Sequence, residues 1–118
     1  MSLCLLAAGK LTTLAISAFT LGWTHSVERT EWQEDWRVTP AGLEIVAARV
    51  RGSGAGMEPG SDARLVDGWW VYAPRVPPLR ELVLGASGAT APWSLCTDGD
   101  CMTLGANADG VLRLRPCD

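Results

Sequence analysis

The sequence predicts an all-β protein, an antiparallel β-sandwich or a small barrel of about eight to ten short strands. No run of the chain shows helical periodicity of apolar residues over about 11 positions. Glycine, proline and Asp-Gly turn signals recur at short intervals, and the chain holds 13 glycines and 7 prolines. Between these turns lie short runs rich in Leu, Val, Ile, Trp and Thr, a rhythm typical of sandwiches and barrels.

The strands follow from the spacing of these turns. Asp67-Gly68 and Asp98-Gly99 each predict a tight two-residue hairpin, because glycine tolerates the positive φ that such turns need. The predicted strands are Leu3–Ala7, Leu11–Ser17, Phe19–Val27, Glu31–Thr39, Leu43–Val50, Leu65–Val66 running into Trp69–Tyr72, Glu81–Leu84, Trp93–Cys96, Cys101–Leu104 and Val111–Leu114.

Length and composition predict one domain over residues 1–118. Hydrophobic residues make up 47% and charged residues 19% of the chain, so it has the composition of a folded protein. The formal net charge is -3, and no basic stripe is present, which argues against a nucleic-acid partner.

Targeting signals are weak in this sequence. No stretch approaches the roughly 18 apolar residues that a membrane span needs. No positive charge precedes the apolar run Leu3–Ala8, and Lys10 interrupts it, unlike a secretory signal peptide. As written, the chain is expected to be cytoplasmic; a periplasmic location is the alternative if a leader has been removed.

The segment from Phe19 to Val38 predicts a hairpin with one mostly apolar face. With the turn centred on Arg29-Thr30, Trp23 faces Trp36, Val27 faces Trp32 and His25 faces Glu34. Opposed side chains of an antiparallel pair have Cβ atoms about 4.5–5.5 Å apart, so an imidazole and a carboxylate there can hydrogen-bond. The face comprises Phe19, Leu21, Trp23, His25, Val27, Trp32, Glu34, Trp36 and Val38.

The predicted His25–Glu34 pair has three interpretations. It is a satisfied polar pair within a tryptophan-rich core, or the floor of a pocket for a polar ligand between Trp23 and Trp36, or an acid–base pair of an enzyme. Ser26 points to the opposite face of a regular strand, which argues against a Ser–His couple.

Three segments resemble a known family. The strings "WTHSVERTEWQEDWRV", "GSGAGM" and "DGWWVY" resemble the bacterial domain of unknown function 1850, over roughly residues 3 to 114. Thr24 to Glu28 match its first motif, and Gly54, Ala55 and Gly56 match its second. Genes of this family often neighbour TRAP-type transporters of the TAXI class. The resemblance therefore implies an accessory role near solute uptake, with a TRAP transporter component as partner, and it implies no established activity.

The glycine-rich segment from Gly52 to Gly56 is a second candidate site. Successive backbone N–H groups could bind an anion there, assisted by Arg49 and Arg51. The segment lacks the P-loop pattern, and a bulge or tight connection is the alternative.

The four cysteines leave their chemistry open. The turn at Asp98-Gly99 places Cys96 opposite Cys101, where the Cα separation of about 4.5 Å suits a disulfide. Cys4 and Cys117 could meet if the first and last strands pair. Free thiols are the first expectation for these cysteines, at least one disulfide is the alternative, and zinc ligation by all four is a third. No metal or cofactor is predicted.

The sequence as a whole favours a non-enzymatic binding or accessory protein associated with TAXI-type uptake, with a small polar or anionic ligand. The alternatives are an enzyme that uses His25 and Glu34, and a structural protein–protein interaction module. The ligand-binding residues of this hypothesis are His25, Glu34, Trp23, Trp36, Ser26, Glu28, Arg49, Gly54 and Gly56.

Overall fold

The computed structural model describes residues 1–7, 9–24, 31–51, 63–86, 93–104 and 110–117. Within these ranges the chain forms eleven β-strands and no helix, so the all-β prediction is confirmed. The count exceeds the predicted range because the Asp67-Gly68 turn divides one predicted run into two strands. The strands are β1 (Leu3–Ala7), β2 (Lys10–Leu14), β3 (Ala18–Thr24), β4 (Glu31–Thr39), β5 (Gly42–Arg51), β6 (Arg64–Val66), β7 (Trp69–Tyr72), β8 (Leu82–Ala86), β9 (Trp93–Thr97), β10 (Asp100–Leu104) and β11 (Gly110–Pro116).

The described strands form two antiparallel sheets, and neither closes into a barrel. The smaller sheet has the order β2-β1-β11-β8, and the larger has the order β10-β9-β3-β4-β5-β7-β6. Apolar side chains from both sheets make one core, as expected for a sandwich whose strands alternate apolar and polar residues. Its buried members are Leu3, Leu5, Phe19, Leu21, Trp36, Val38, Leu43, Leu84, Leu95, Leu104, Leu112 and Leu114.

Both Asp-Gly hairpins are confirmed. Asp67 and Gly68 have φ values of 50° and 86°, and Asp98 and Gly99 have values of 49° and 85°. Two successive positive φ values define the type I′ turn, whose twist matches that of the flanking strands. These turns connect β6 to β7 and β9 to β10.

Two disulfides tie strands together. Cys4 of β1 is bonded to Cys117, which directly follows β11. Cys96 of β9 lies opposite Cys101 of β10 and is bonded to it. All four cysteines are therefore paired, and none is a free thiol or a zinc ligand in this structure.

The predicted register between β3 and β4 is wrong. Trp23 lies opposite Trp32, Leu21 opposite Glu34, and Phe19 opposite Trp36. Leu21 therefore occupies the position opposite Glu34 that the prediction gave to His25, and Trp32 occupies the position opposite Trp23 that it gave to Trp36. Strand β3 ends at Thr24, and residues 25–30 separate it from β4.

The physical reason is the turn that the prediction assumed. A two-residue turn at Arg29-Thr30 requires positive φ at both positions, which is unfavourable for a β-branched threonine. Strand β3 is instead placed between two neighbours, and Leu21 pairs with Leu95 of β9 as well as with Glu34. The displacement is an even number of residues, so each side chain keeps its predicted face.

Candidate functional site

The inner face of the larger sheet carries one charged side chain among the described residues of β3, β4, β5 and β7. Alternation along β4 directs Trp32, Glu34, Trp36 and Val38 toward the smaller sheet. Three of these are buried apolar residues, whereas Glu34 is half-buried. The strand pairs place apolar residues on either side of Glu34, namely Leu21 of β3 and Ala48 of β5.

Glu34 has one polar neighbour on its own strand, Trp36, and another two strands away, Tyr72 of β7. The indole Nε1–H of Trp36 donates to Glu34 Oε1 over 3.1 Å. Burial raises the pKa of the Glu34 carboxyl above its ordinary value, and this hydrogen bond opposes the shift only in part. Tyr72 lies opposite Ala48 and so belongs to the same row of the sheet. Burial, and then the charge of Glu34, raise the pKa of Tyr72.

Three tryptophans form a cluster beside this carboxyl group. The rings of Trp23 and Trp32 stack with centroids 5.8 Å apart and planes 9° apart. Trp93 packs on Trp23 at 4.9 Å in a tilted arrangement, and its Nε1–H donates to the carbonyl of Gly85 over 2.8 Å. We call Trp23, Trp32 and Trp93 the tryptophan cluster. Its Trp23–Trp32 pair is the next same-face pair along the strands from Leu21–Glu34.

The tryptophan cluster borders solvent-accessible space. A groove of about 190 Å³ opens on the outer face of the sheet, opposite the inner face that carries the Trp23 and Trp32 rings. Its floor lies at Gly22, whose missing side chain leaves a depression between Gln33 and Ser94. On the inner face, Trp23 and Trp93 are half-buried and so partly exposed to solvent, whereas Trp32 is buried.

The outer face of the same strands holds a different kind of polar group. Arg49 donates to Asp35 through both terminal nitrogens, over 2.8 Å and 3.1 Å, and its Nε donates to Gln33 over 2.7 Å. Thr20 adds a hydrogen bond of 2.7 Å to Asp35. Burial alone raises the pKa of Asp35, but the hydrogen bonds from Arg49 and Thr20 and the charge of Arg49 outweigh it. The pKa of Asp35 therefore lies below its ordinary value.

The structure brings some of the predicted site residues together and separates others. Glu34, Trp23 and Trp36 share the inner face, whereas Arg49 is on the outer face and is engaged by Asp35 and Gln33. The remaining predicted site residues lie outside the described residues and stay predictions: His25, Ser26, Glu28, Gly54 and Gly56.

Sequence reasoning missed Tyr72 and Trp93 as neighbours of the site. Alternation along β7 puts Tyr72 and Trp70 on one face of the strand. No sequence signal indicated that β7 pairs with β5, or that β9 lies beside β3, and only these pairings bring Tyr72 and Trp93 to the site.

A larger cleft of about 980 Å³ lies at the other end of β4, around the turn into β5, and none of the predicted ligand-binding residues lines it. In the described part of the chain, no three His, Cys, Asp or Glu residues are placed to hold a metal ion. No helix among the described residues has the length and apolar character to cross a membrane.

Comparison with known proteins gives one match. Residues 19–104 match the model of a family described as a domain of unknown function, DUF1850. Neither the curated proteins nor the solved structures contain a match to this chain. The matched region spans β3 to β10 and therefore includes Glu34, Tyr72 and the tryptophan cluster.

Proposed function

The chain belongs to the DUF1850 family of uncharacterised domains, and we propose that it is a non-enzymatic binding protein with a site at Glu34. The ligand is a small polar molecule or a polar segment of a partner protein. It contacts the Glu34 carboxylate and the adjacent tryptophan cluster. His25, which follows β3 directly after Thr24, remains a predicted contributor.

The observation that carries this proposal is the half-buried Glu34 carboxyl on an apolar sheet face. An ionisable group in such a place is unfavourable unless it is paired, and the partner described for Glu34 is the uncharged indole N–H of Trp36. Among the described residues, no cationic side chain lies within ion-pair distance of Glu34. A carboxyl whose pKa is raised by burial, beside aromatic side chains, is typical of binding and catalytic sites.

The observed register between β3 and β4 supports binding over acid–base catalysis. The enzymatic interpretation depended on His25 lying opposite Glu34, and Leu21 occupies that position. Binding needs only a carboxylate and aromatic surfaces, which Glu34 and the tryptophan cluster supply.

A ligand screen tests the site directly. Because the tryptophan cluster adjoins Glu34, we expect at least one class among amino acids, amines and dicarboxylates to change tryptophan emission and raise the melting temperature. Glu34→Gln keeps the shape of the side chain and should lose that response, whereas Glu44→Gln removes a carboxylate from the outer face and should keep it. A flat response across all classes, or an equal response in Glu34→Gln, contradicts the proposal.

We further propose that the protein acts outside the cytoplasm as an accessory to TAXI-type TRAP uptake. Two disulfides support an oxidising compartment, because cytosolic thiols normally stay reduced. The gene neighbourhood of the family supports the transporter association.

Fractionation and co-purification test this part of the proposal. The full product of the gene should be recovered from the periplasmic fraction of producing bacteria with its cysteines oxidised. It should also co-purify with a co-expressed TAXI-type transporter or its solute-binding protein. Recovery of reduced protein from the cytoplasm, without any transporter component, contradicts both statements.

A further inference from the structure

The chemistry around Glu34 restricts the class of ligand. The described larger-sheet residues that flank Glu34 on the inner face are uncharged: Leu21 of β3, Trp32 and Trp36 of β4, Ala48 of β5 and, one strand beyond it, Tyr72 of β7. The arginines of this region are on the outer face, where Arg49 pairs with Asp35 and Arg51 lies near Glu31. A ligand on the inner face therefore meets one negative charge and no described positive charge.

This electrostatic arrangement disfavours an anion. A second carboxylate beside Glu34 meets like-charge repulsion in a partly desolvated place, where screening by water is reduced. A cation gains the opposite interaction and relieves the unfavourable burial of the Glu34 charge. The carboxylate has the capacity for it, because Trp36 occupies only one of about four acceptor positions on the two oxygens.

The aromatic neighbours favour an organic cation over a metal ion. Indole faces attract ammonium groups through the negative potential of the ring. Trp23, whose half-buried indole packs against Trp32 and Trp93, lies one same-face pair away from Glu34. A divalent metal requires several oxygen, nitrogen or sulfur ligands, and the described residues place no such group here.

We propose that the site at Glu34 binds a small organic ammonium ion, with the carboxylate of Glu34 opposite the charge and the tryptophan cluster against the alkyl groups. This inference rests on the proposed binding function and adds the ligand class to it. It also replaces the anionic ligand of the sequence-based hypothesis for this face.

Matched ligands separate charge from shape. Choline, its neutral isostere 3,3-dimethylbutanol, and malonate are titrated into the wild-type protein, Glu34→Gln and Glu44→Gln, with tryptophan emission and calorimetric heat as readouts. Wild type and Glu44→Gln should bind choline about tenfold more tightly than the neutral isostere, a difference of roughly 1.4 kcal/mol. In Glu34→Gln that preference should disappear, and malonate should bind to none of the three proteins.

The possible failures are distinguishable. Equal binding of choline and its neutral isostere overturns the cation inference while leaving a binding site in place. Malonate binding that depends on Glu34 also overturns the inference and supports the binding function. If none of the three probes binds, the inference is overturned, and the broader ligand screen then decides whether the proposed function falls as well.

Discussion

Glu34 and Asp35 are neighbours in the chain, yet their carboxyl groups lie in opposite environments. Strand alternation directs Glu34 to the inner face and Asp35 to the outer face of the same sheet. Burial raises the pKa of Glu34, with only the Trp36 indole opposing it. For Asp35, burial is outweighed by Arg49 and Thr20, and its pKa is lowered.

This difference separates a carboxylate that stabilises the fold from one that the fold tolerates. Asp35 is held by a guanidinium in two-point contact and by a hydroxyl, the geometry of a structural ion pair. Glu34 receives one described hydrogen bond in a row of apolar residues. The ion pair with Arg49 explains Asp35, whereas Glu34 accepts from the Trp36 indole but has no cationic partner among the described residues, which is why we assign the site to the inner face.

The larger expected effect on stability comes from breaking the hydrogen-bonded ion pair between Asp35 and Arg49 on the outer face. Asp35→Asn should lower the free energy of unfolding by about 1–2 kcal/mol, because it weakens charge-assisted hydrogen bonds; the range is reduced for partial exposure of both side chains. The depressed pKa of Asp35 means that this contribution is present above the ordinary value of 3.8 and is lost as the pH falls through the lowered value. Chemical denaturation at several pH values measures it.

A milder substitution at the same group serves as the control for Asp35→Asn. Thr20→Val removes only one hydrogen bond to Asp35 and should cost less than Asp35→Asn, about 0.5–1.5 kcal/mol. Unchanged stability in Asp35→Asn at neutral pH would mean that Asp35 does not stabilise the fold. The contrast between a structural Asp35 and a ligand-binding Glu34 would then be wrong.

Much of the fold could be predicted because turns and alternation are local properties. The Asp-Gly pairs fix their own backbone geometry, so both hairpins were placed from the sequence. Strands Leu3–Ala7 and Glu31–Thr39 were predicted with the bounds that the structure has. The predicted faces of β4 are confirmed as well, because a period of two residues depends only on neighbours in the chain.

The register and the sheet order depend on residues far apart in the chain, so they could not be predicted from local sequence patterns. The register of β3 is shared with β4 and β9, and the predicted turn at Arg29-Thr30 had no glycine to fix it. The tryptophan cluster and Tyr72 became visible only with the sheet order. Glu34, in contrast, stood out from the sequence as a charged residue within an apolar alternation.

The smaller expected effect concerns Glu34. It decides whether this carboxylate stabilises the fold or is kept for a ligand. We propose to measure the free energy of unfolding of the wild type and Glu34→Gln from acid to neutral pH, without ligand. A raised pKa in the folded state means that wild-type stability falls as the pH rises from the ordinary value of 4.5 through the raised value. The variant lacks this loss, and its amide oxygen can still accept from Trp36.

We expect Glu34→Gln to be more stable than the wild type by about 0.5–1 kcal/mol at neutral pH, at the low end for stabilising substitutions because the side chain is partly exposed. The difference should disappear below the ordinary pKa of the carboxyl, where Glu34 is protonated in both the folded and unfolded states. If Glu34→Gln is instead less stable than the wild type at neutral pH, Glu34 is a structural carboxylate like Asp35, and the assignment of the site to the inner face is contradicted.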